Sequence, residues 1–167
     1  MNFNESKRSD TEVGTPFAFI NYESEVKTLV SKIILASHGS FASGIESSLK
    51  LICGNTAAIE SLDCYTVENF DLTQSIDDLM ERHVNQEIIV VTDIFGGSVN
   101  NEFIRYISRP GFYLVAGLNL PFLIELVTKM ETTNNIERVI QESLDNSKAA
   151  LQFCNKVIHQ VVEEEEF

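Results

Sequence analysis

Lys32-Ile33-Ile34-Leu35-Ala36-Ser37-His38-Gly39 and Glu87-Ile88-Ile89-Val90-Val91-Thr92-Asp93 decide the fold of this chain. Both are short runs rich in Ile and Val or Leu. The first ends in His38 and Gly39, the second in Asp93 followed by Ile94-Phe95-Gly96-Gly97-Ser98. Neither alternates apolar with polar residues as a half-exposed hairpin strand would, so both read as strands buried on two faces, the setting of a parallel sheet. In an open α/β sheet, ligands and reacting groups gather beyond the carboxyl ends of the strands, where the strand order reverses. His38 and Asp93 stand at two such ends. A carboxylate that accepts one ring N–H of a histidine fixes its tautomer and leaves the other nitrogen for nucleophilic work.

Outward from these strands, helical and extended patterns alternate. Ser43-Gly44-Ile45-Glu46 has the form of a capping box, in which each side chain serves the other's backbone N–H, and Ile45, Leu49 and Ile52 follow at helical spacing before Gly54. Ser61-Leu62-Asp63-Cys64-Tyr65-Thr66 is a second strand, and Ile76, Leu79, Met80 and Val84 mark one face of a second helix. After the strand at 87–92, Ser98 is an N-cap for a helix carrying Val99, Phe103, Ile104 and Ile107, which stops before Pro110. Residues 112–116 form the fourth strand, 117–120 a turn, and Pro121 stands where a first helical residue is expected. A last helix is predicted from Ile136 to Ile158, with Val139, Ile140, Leu144, Leu151 and Cys154 on its buried side. The alternation predicts an open, doubly wound, mainly parallel four-stranded α/β sheet of order 2-1-3-4 with helices on both faces. That order puts the crevice between the strands ending in His38 and Asp93.

The 167 residues suit one domain with a substantial core. Residues 1–30 read as an N-terminal extension of unassigned role, within which 17–30 adds a strand or short helix; 31–160 form the domain, and 161–167 an acidic tail. Apolar residues make up 44% of the chain and no run reaches bilayer length, so a transmembrane helix is excluded. The first residues show no basic patch leading into a long apolar stretch, so a secretory signal is not expected and the chain reads as cytoplasmic. A net charge of −13 has the wrong sign for a nucleic-acid partner and would steer a basic protein toward the surface. Cys53, Cys64 and Cys154 are odd in number and widely spaced, and read as buried free thiols in a reducing compartment. No Cys-x-x-Cys or His-x-x-x-His spacing points to a metal site, and no cofactor is expected. His83 lies among polar helical residues and reads as a surface side chain; His159, at a helix end, suits the helix dipole.

Gly96-Gly97-Ser98 gives the turn after Asp93 the freedom to approach a ligand closely, and a helix start there offers N–H groups to an anion. Gly39-Ser40 adds donors beside His38. The chain has no Gly-x-x-x-x-Gly-Lys-Ser/Thr loop and no Gly-x-Gly-x-x-Gly after the first strand, so nucleotide hydrolysis is not indicated.

Ile34-Leu35-Ala36-Ser37-His38-Gly39, Val91-Thr92-Asp93-Ile94-Phe95-Gly96-Gly97-Ser98 and Val115-Ala116-Gly117-Leu118-Asn119-Leu120-Pro121, in that order, resemble the IIA component of the mannose family of the bacterial phosphoenolpyruvate-dependent sugar phosphotransferase system. The resemblance covers about 32–158. It implies a phosphoryl carrier with a phosphohistidine at His38, charged by the histidine-containing phosphocarrier protein and discharged to a IIB component, with membrane IIC and IID components importing the sugar. It assigns Asp93 to orienting the imidazole, and Gly96, Gly97 and Ser98 to the phosphoryl group, to which Gly39, beside His38, is added on its position alone. Members of the family are commonly dimers, although no interface stands out in this sequence. Two departures from the family pattern are Ile94-Phe95 after the aspartate and Val99 after the serine; neither removes a reacting group. The alternatives are the phosphotransfer subunit of a dihydroxyacetone kinase, which shares the fold, and a flavodoxin-like interaction module in which His38 is structural.

Overall fold

A computed structural model describes residues 32–54, 59–130 and 135–158. The extension 1–30, the acidic tail 161–167 and His159 lie outside them. Four strands, β1 (Lys32–His38), β2 (Ile59–Cys64), β3 (Ile88–Thr92) and β4 (Phe112–Ala116), pair in the order β2-β1-β3-β4, all parallel. This is the predicted sheet. The helices between and after them are α1 (Phe41–Cys53), α2 (Leu72–Arg82), α3 (Ser98–Ile104), α4 (Leu120–Met130) and α5 (Ile136–Lys148).

The period of two along each strand sorts its side chains onto two apolar layers. Ile33, Leu35, Ile89 and Val91 pack with Leu49, Phe122, Leu126 and Val139 of α1, α4 and α5. Ile34, Ala36, Ile88 and Val90 pack on the other face with Ile76, Leu79, Val99 and Phe103 of α2 and α3. Both faces being covered is why the strands carry no polar alternation. Burying such a Leu, Ile or Phe stabilises the fold by roughly 1.5–3 kcal/mol each.

Several local expectations are corrected. Helix α1 begins at Phe41, before the proposed capping box. Ser43 instead gives its N–H (3.0 Å) and its hydroxyl (2.6 Å) to Asp63 of β2, and Glu46 accepts from Ser61 and Lys50. The first turn is capped by buried Ser37, whose Oγ accepts the Ala42 N–H at 2.7 Å. An acidic side chain arriving from the neighbouring strand thus serves the positive end of the helix. Ile52, expected on the buried face with Ile45 and Leu49, is exposed. Strand β2 lies two residues upstream of its predicted position. Val84 and Ile107 fall beyond their helices and are exposed, and Ile104 is on an outer face. Leu120, not Pro121, begins α4, where Asn119 Oδ1 accepts the Phe122 N–H at 2.9 Å. Helix α5 ends at Lys148. Leu151 and Cys154 are exposed, because nothing among the described residues packs against that stretch. Of the three thiols only Cys64 is buried, with Cys53 half-buried.

Candidate active site at the carboxyl ends of β1 and β3

Strands β1 and β3 are adjacent and in register up to Ala36 opposite Thr92, so the next residues along each strand rise together above the sheet. There the Asp93 carboxylate meets His38 twice. Asp93 Oδ2 accepts the His38 backbone N–H at 2.9 Å and lies 2.8 Å from His38 Nδ1. Asp93 Oδ1 accepts the Ile94 N–H at 2.9 Å. Burial pushes the Asp93 carboxyl upward, but the His38 backbone and ring hydrogen bonds, the His38 charge and the Ile94 N–H together hold it below its ordinary value. Asp93 is therefore an acceptor only, and Nδ1 carries the proton that it receives.

In the neutral ring the other nitrogen then accepts. Ser98 Oγ stands 3.1 Å from His38 Nε2, and the Tyr65 hydroxyl donates to Ser98 Oγ at 2.9 Å. The result is one directed chain: Tyr65 O–H to Ser98, Ser98 O–H to Nε2, Nδ1–H to Asp93. The Tyr65 ring also stacks on the imidazole, with centroids 5.5 Å apart and planes 22° from parallel. The His38 side chain is 43% exposed against 15% for Asp93, so the imidazole is open to solvent while the carboxylate is sheltered.

The loop between Asp93 and α3 is held from inside. Buried Asn100 donates from Nδ2 to Thr92 Oγ1 at 3.1 Å and accepts the Gly96 N–H at 3.1 Å; Asn101 Nδ2 donates to Gly96 O at 3.0 Å. Gly96 sits at φ +75°, a conformation that disfavours a side chain. Gly97 has no room for one: a Cβ there would lie 2.7 Å from Ile94 Cγ2 and 3.4 Å from His38 Cε1. Gly97 is the N-cap of α3, and Ser98 is its first helical residue rather than the predicted cap, which frees the hydroxyl for Nε2.

All six residues predicted for the site, His38, Gly39, Asp93, Gly96, Gly97 and Ser98, lie at this end of β1 and β3. Their amide groups are differently used than expected. The Gly39 N–H donates to Cys64 O at 2.8 Å, the Gly96 N–H to Asn100, and the Gly97 N–H to Ile94 O at 3.3 Å. These glycines shape the walls, and the donor beside Nε2 is a side-chain hydroxyl. Sequence reasoning missed Tyr65, Asn100 and Ser37. Tyr65 was placed inside a strand, whereas β2 ends at Cys64, the partner of His38 in register, so the following residue overhangs the imidazole. Asn100 carried one usable signal, a polar residue inside an otherwise apolar helical face.

Cys64 is not a competing nucleophile. Burial first, then the negative charges of Asp93 and Asp63, push its thiol up to about 12. Among the described residues no three His, Cys, Asp or Glu side chains cluster as metal ligands, and no helix is long and apolar enough to cross a membrane.

With the geometry in hand, comparison with known proteins is informative. The sequence model of the family described as PTS system fructose IIA component matches residues 32–144, more than half of the chain. The fold is similar to that of a phosphoenolpyruvate-dependent sugar phosphotransferase system permease from Klebsiella pneumoniae, with 47% identity, a TM-score of 0.74, and coverage of 77% of this chain and 93% of that one. It is also similar to the IIA protein associated with the fucose utilization operon of Streptococcus pneumoniae, at 25% identity, TM-score 0.64 and coverage of 77% and 96%. A mannose/sorbose-specific IIA subunit from Enterococcus faecalis matches at 25% identity, TM-score 0.61 and coverage of 73% and 92%.

Proposed function

Because the chain belongs to the PTS system fructose IIA component family, we propose that it carries a phosphoryl group on His38 Nε2, taken from the histidine-containing phosphocarrier protein and passed to a IIB component during sugar uptake. The observation that carries this reading is the His38–Asp93 pair, with Nδ1 bound at 2.8 Å, Nε2 beside the Ser98 hydroxyl and the imidazole 43% exposed.

The chemistry needs no cofactor. Neutral imidazole attacks phosphorus in line with the departing donor nitrogen. As the ring gains positive charge, the Asp93 carboxylate stabilises it through the Nδ1 hydrogen bond. Ser98 follows the incoming group with its hydroxyl, and Gly96-Gly97 leave the space that the group occupies. Asp93 fixes the ring before the reactants meet, so little orientational freedom remains to be lost in the transition state.

Protein partners suit the surroundings. Phe41, Tyr65, Ile94 and Phe95 are exposed apolar side chains on the segments that carry the site, Phe95 at 84%. Solvent-facing aromatic and aliphatic groups around a small reactive centre fit transient docking by another protein better than enclosure of a free metabolite. The net charge of −13 favours a donor and an acceptor with basic docking faces. A cytoplasmic site of action fits this role, since such carriers meet there.

Incubation with phosphoenolpyruvate, enzyme I and the phosphocarrier protein should add one acid-labile phosphoryl group per chain. His38→Ala should abolish the label, while His83→Ala and His159→Ala keep it. Full labelling of His38→Ala would refute the assignment. Discharge to a IIB component, rather than to a dihydroxyacetone kinase, identifies the acceptor.

A further inference from the structure

We propose that Tyr65 is a positioning residue of this site, acting through Ser98: its hydroxyl holds the Ser98 hydroxyl at Nε2 in the resting protein and keeps it aimed at a phosphoryl oxygen once Nε2 is occupied. The inference rests on the carrier role of His38 proposed above.

Tyr65 occupies a conformation that its type rarely adopts. Its φ is +61°, in the left-handed region where a bulky side chain is strained. Among the described residues the other non-glycine residue at positive φ is Asn69, and asparagine tolerates that region. Glycine or asparagine would make the turn after β2 more cheaply than tyrosine does, so the turn alone does not account for this residue. Three contacts fix the ring where the backbone delivers it: the stack on His38, a tilted contact with Phe70 at 5.5 Å between centroids, and the hydrogen bond to Ser98.

The proton arithmetic gives the hydroxyl its role. Asp93 takes Nδ1–H, so Nε2 accepts from Ser98, and Ser98 in turn accepts from Tyr65. When phosphorus arrives, the Nε2 lone pair forms the new P–N bond. The donor's P–N bond breaks and its electron pair returns to the donor nitrogen. Nδ1 keeps its proton toward Asp93, and no proton passes between the two proteins. Ser98 loses its acceptor at that moment and turns its hydrogen to a phosphoryl oxygen. Tyr65 continues to donate to Ser98 Oγ, which limits the rotation of that hydroxyl and strengthens it as a donor.

The test is Tyr65→Phe, which keeps the stacked ring and removes one hydroxyl. Two donors are used: the phosphorylated phosphocarrier protein, and phosphoramidate, a small P–N donor with no docking surface. At saturating donor the variant should transfer about 3- to 10-fold more slowly with both, the loss of one neutral hydrogen bond, with the half-saturating concentration unchanged. In a Ser98→Ala background the same substitution should have no further effect, because its partner is gone. Equal slowing in both backgrounds would overturn the inference, as would slowing with the protein donor alone, which makes Tyr65 a docking contact. A second measurement needs no variant: 15N resonances of His38 in the unphosphorylated protein should report the Nδ1–H tautomer with Nε2 as acceptor, and the opposite tautomer would overturn the chain. A wild-type protein that takes no phosphoryl group on His38 refutes the carrier role itself. A labelled wild type with Tyr65→Phe at the same rate refutes only the role of Tyr65.

Discussion

The two ends of the sheet each hold a histidine bound to a carboxylate at 2.8 Å, and the two pairs are built for different work. At the carboxyl ends, His38 Nδ1 meets Asp93. At the amino ends, His83, which caps the last turn of α2, places Nε2 on Glu60 at the start of β2. Glu60 divides its charge among His83, Arg82 at 2.8 Å and Lys32 at 3.6 Å. The second nitrogen of His83 is taken by Gln86 at 2.9 Å, and its side chain is only 12% exposed. It is not the surface residue that its polar neighbours suggest, because α2 folds it back onto β2. In the His38 pair the carboxylate serves the imidazole and two backbone amides, and the second nitrogen meets only the Ser98 hydroxyl, on a ring that is 43% exposed. An imidazole–carboxylate pair therefore does not by itself make a nucleophile. The fate of the other nitrogen decides.

The largest break in this comparison comes from exchanging histidine for alanine at each end. His38→Ala should lose the whole phosphoryl label and little stability, since its ring lies at an open mouth. His83→Ala should keep the label and lose about 1–3 kcal/mol, the cost of two hydrogen bonds and a half-buried ring, read as a lower denaturant midpoint. A label that disappears with His83 would erase the distinction.

The carboxylates give the next effect. Asp93→Asn keeps the size, but removes the charge and can offer a donor where an acceptor is needed. Losing a charge-assisted hydrogen bond of roughly 1.5–3 kcal/mol in the transition state should slow single-turnover transfer about 10- to 100-fold. Glu60→Gln should leave that rate unchanged. A wild-type rate in Asp93→Asn would mean that another group orients His38.

The smallest effect is one of pH. Burial pushes both carboxyls upward, but hydrogen bonds from His38 onto Asp93, and from Arg82 and His83 onto Glu60, leave each below its ordinary value of 3.8 or 4.5. A depressed carboxyl binds fewer protons folded than unfolded. Its stabilisation is complete above the ordinary value and is lost as pH falls through the folded one. Melting temperature should hold to about pH 5 and then decline, and Glu60→Gln should soften the decline that starts near 4.5. A melting curve already falling between pH 7 and 5 would point to another titrating group.

Some of this molecule is written in the local sequence. Runs of Ile, Val and Leu with no polar alternation specify strands buried on both faces, and the residues that terminate them necessarily stand at the strand ends. That is why His38 and Asp93 and the alternation of elements were legible, and why the Gly96-Gly97-Ser98 turn could be placed beside them; the sheet order was inferred from the fold class and not measured by the sequence. Other features depend on what lies across the sheet. Ser43 prefers Asp63 of β2 to the capping partner three residues away, so α1 starts at Phe41. Register sets Cys64 opposite His38, ends β2 there and turns Tyr65 over the imidazole. Asn100 becomes the inner brace of the loop only because α3 lays it on Thr92. Local periodicity reports which face of an element is buried. It does not report which long-range hydrogen bond will win at the element's end, and at this site those bonds settle which nitrogen of His38 is held and which is left to accept.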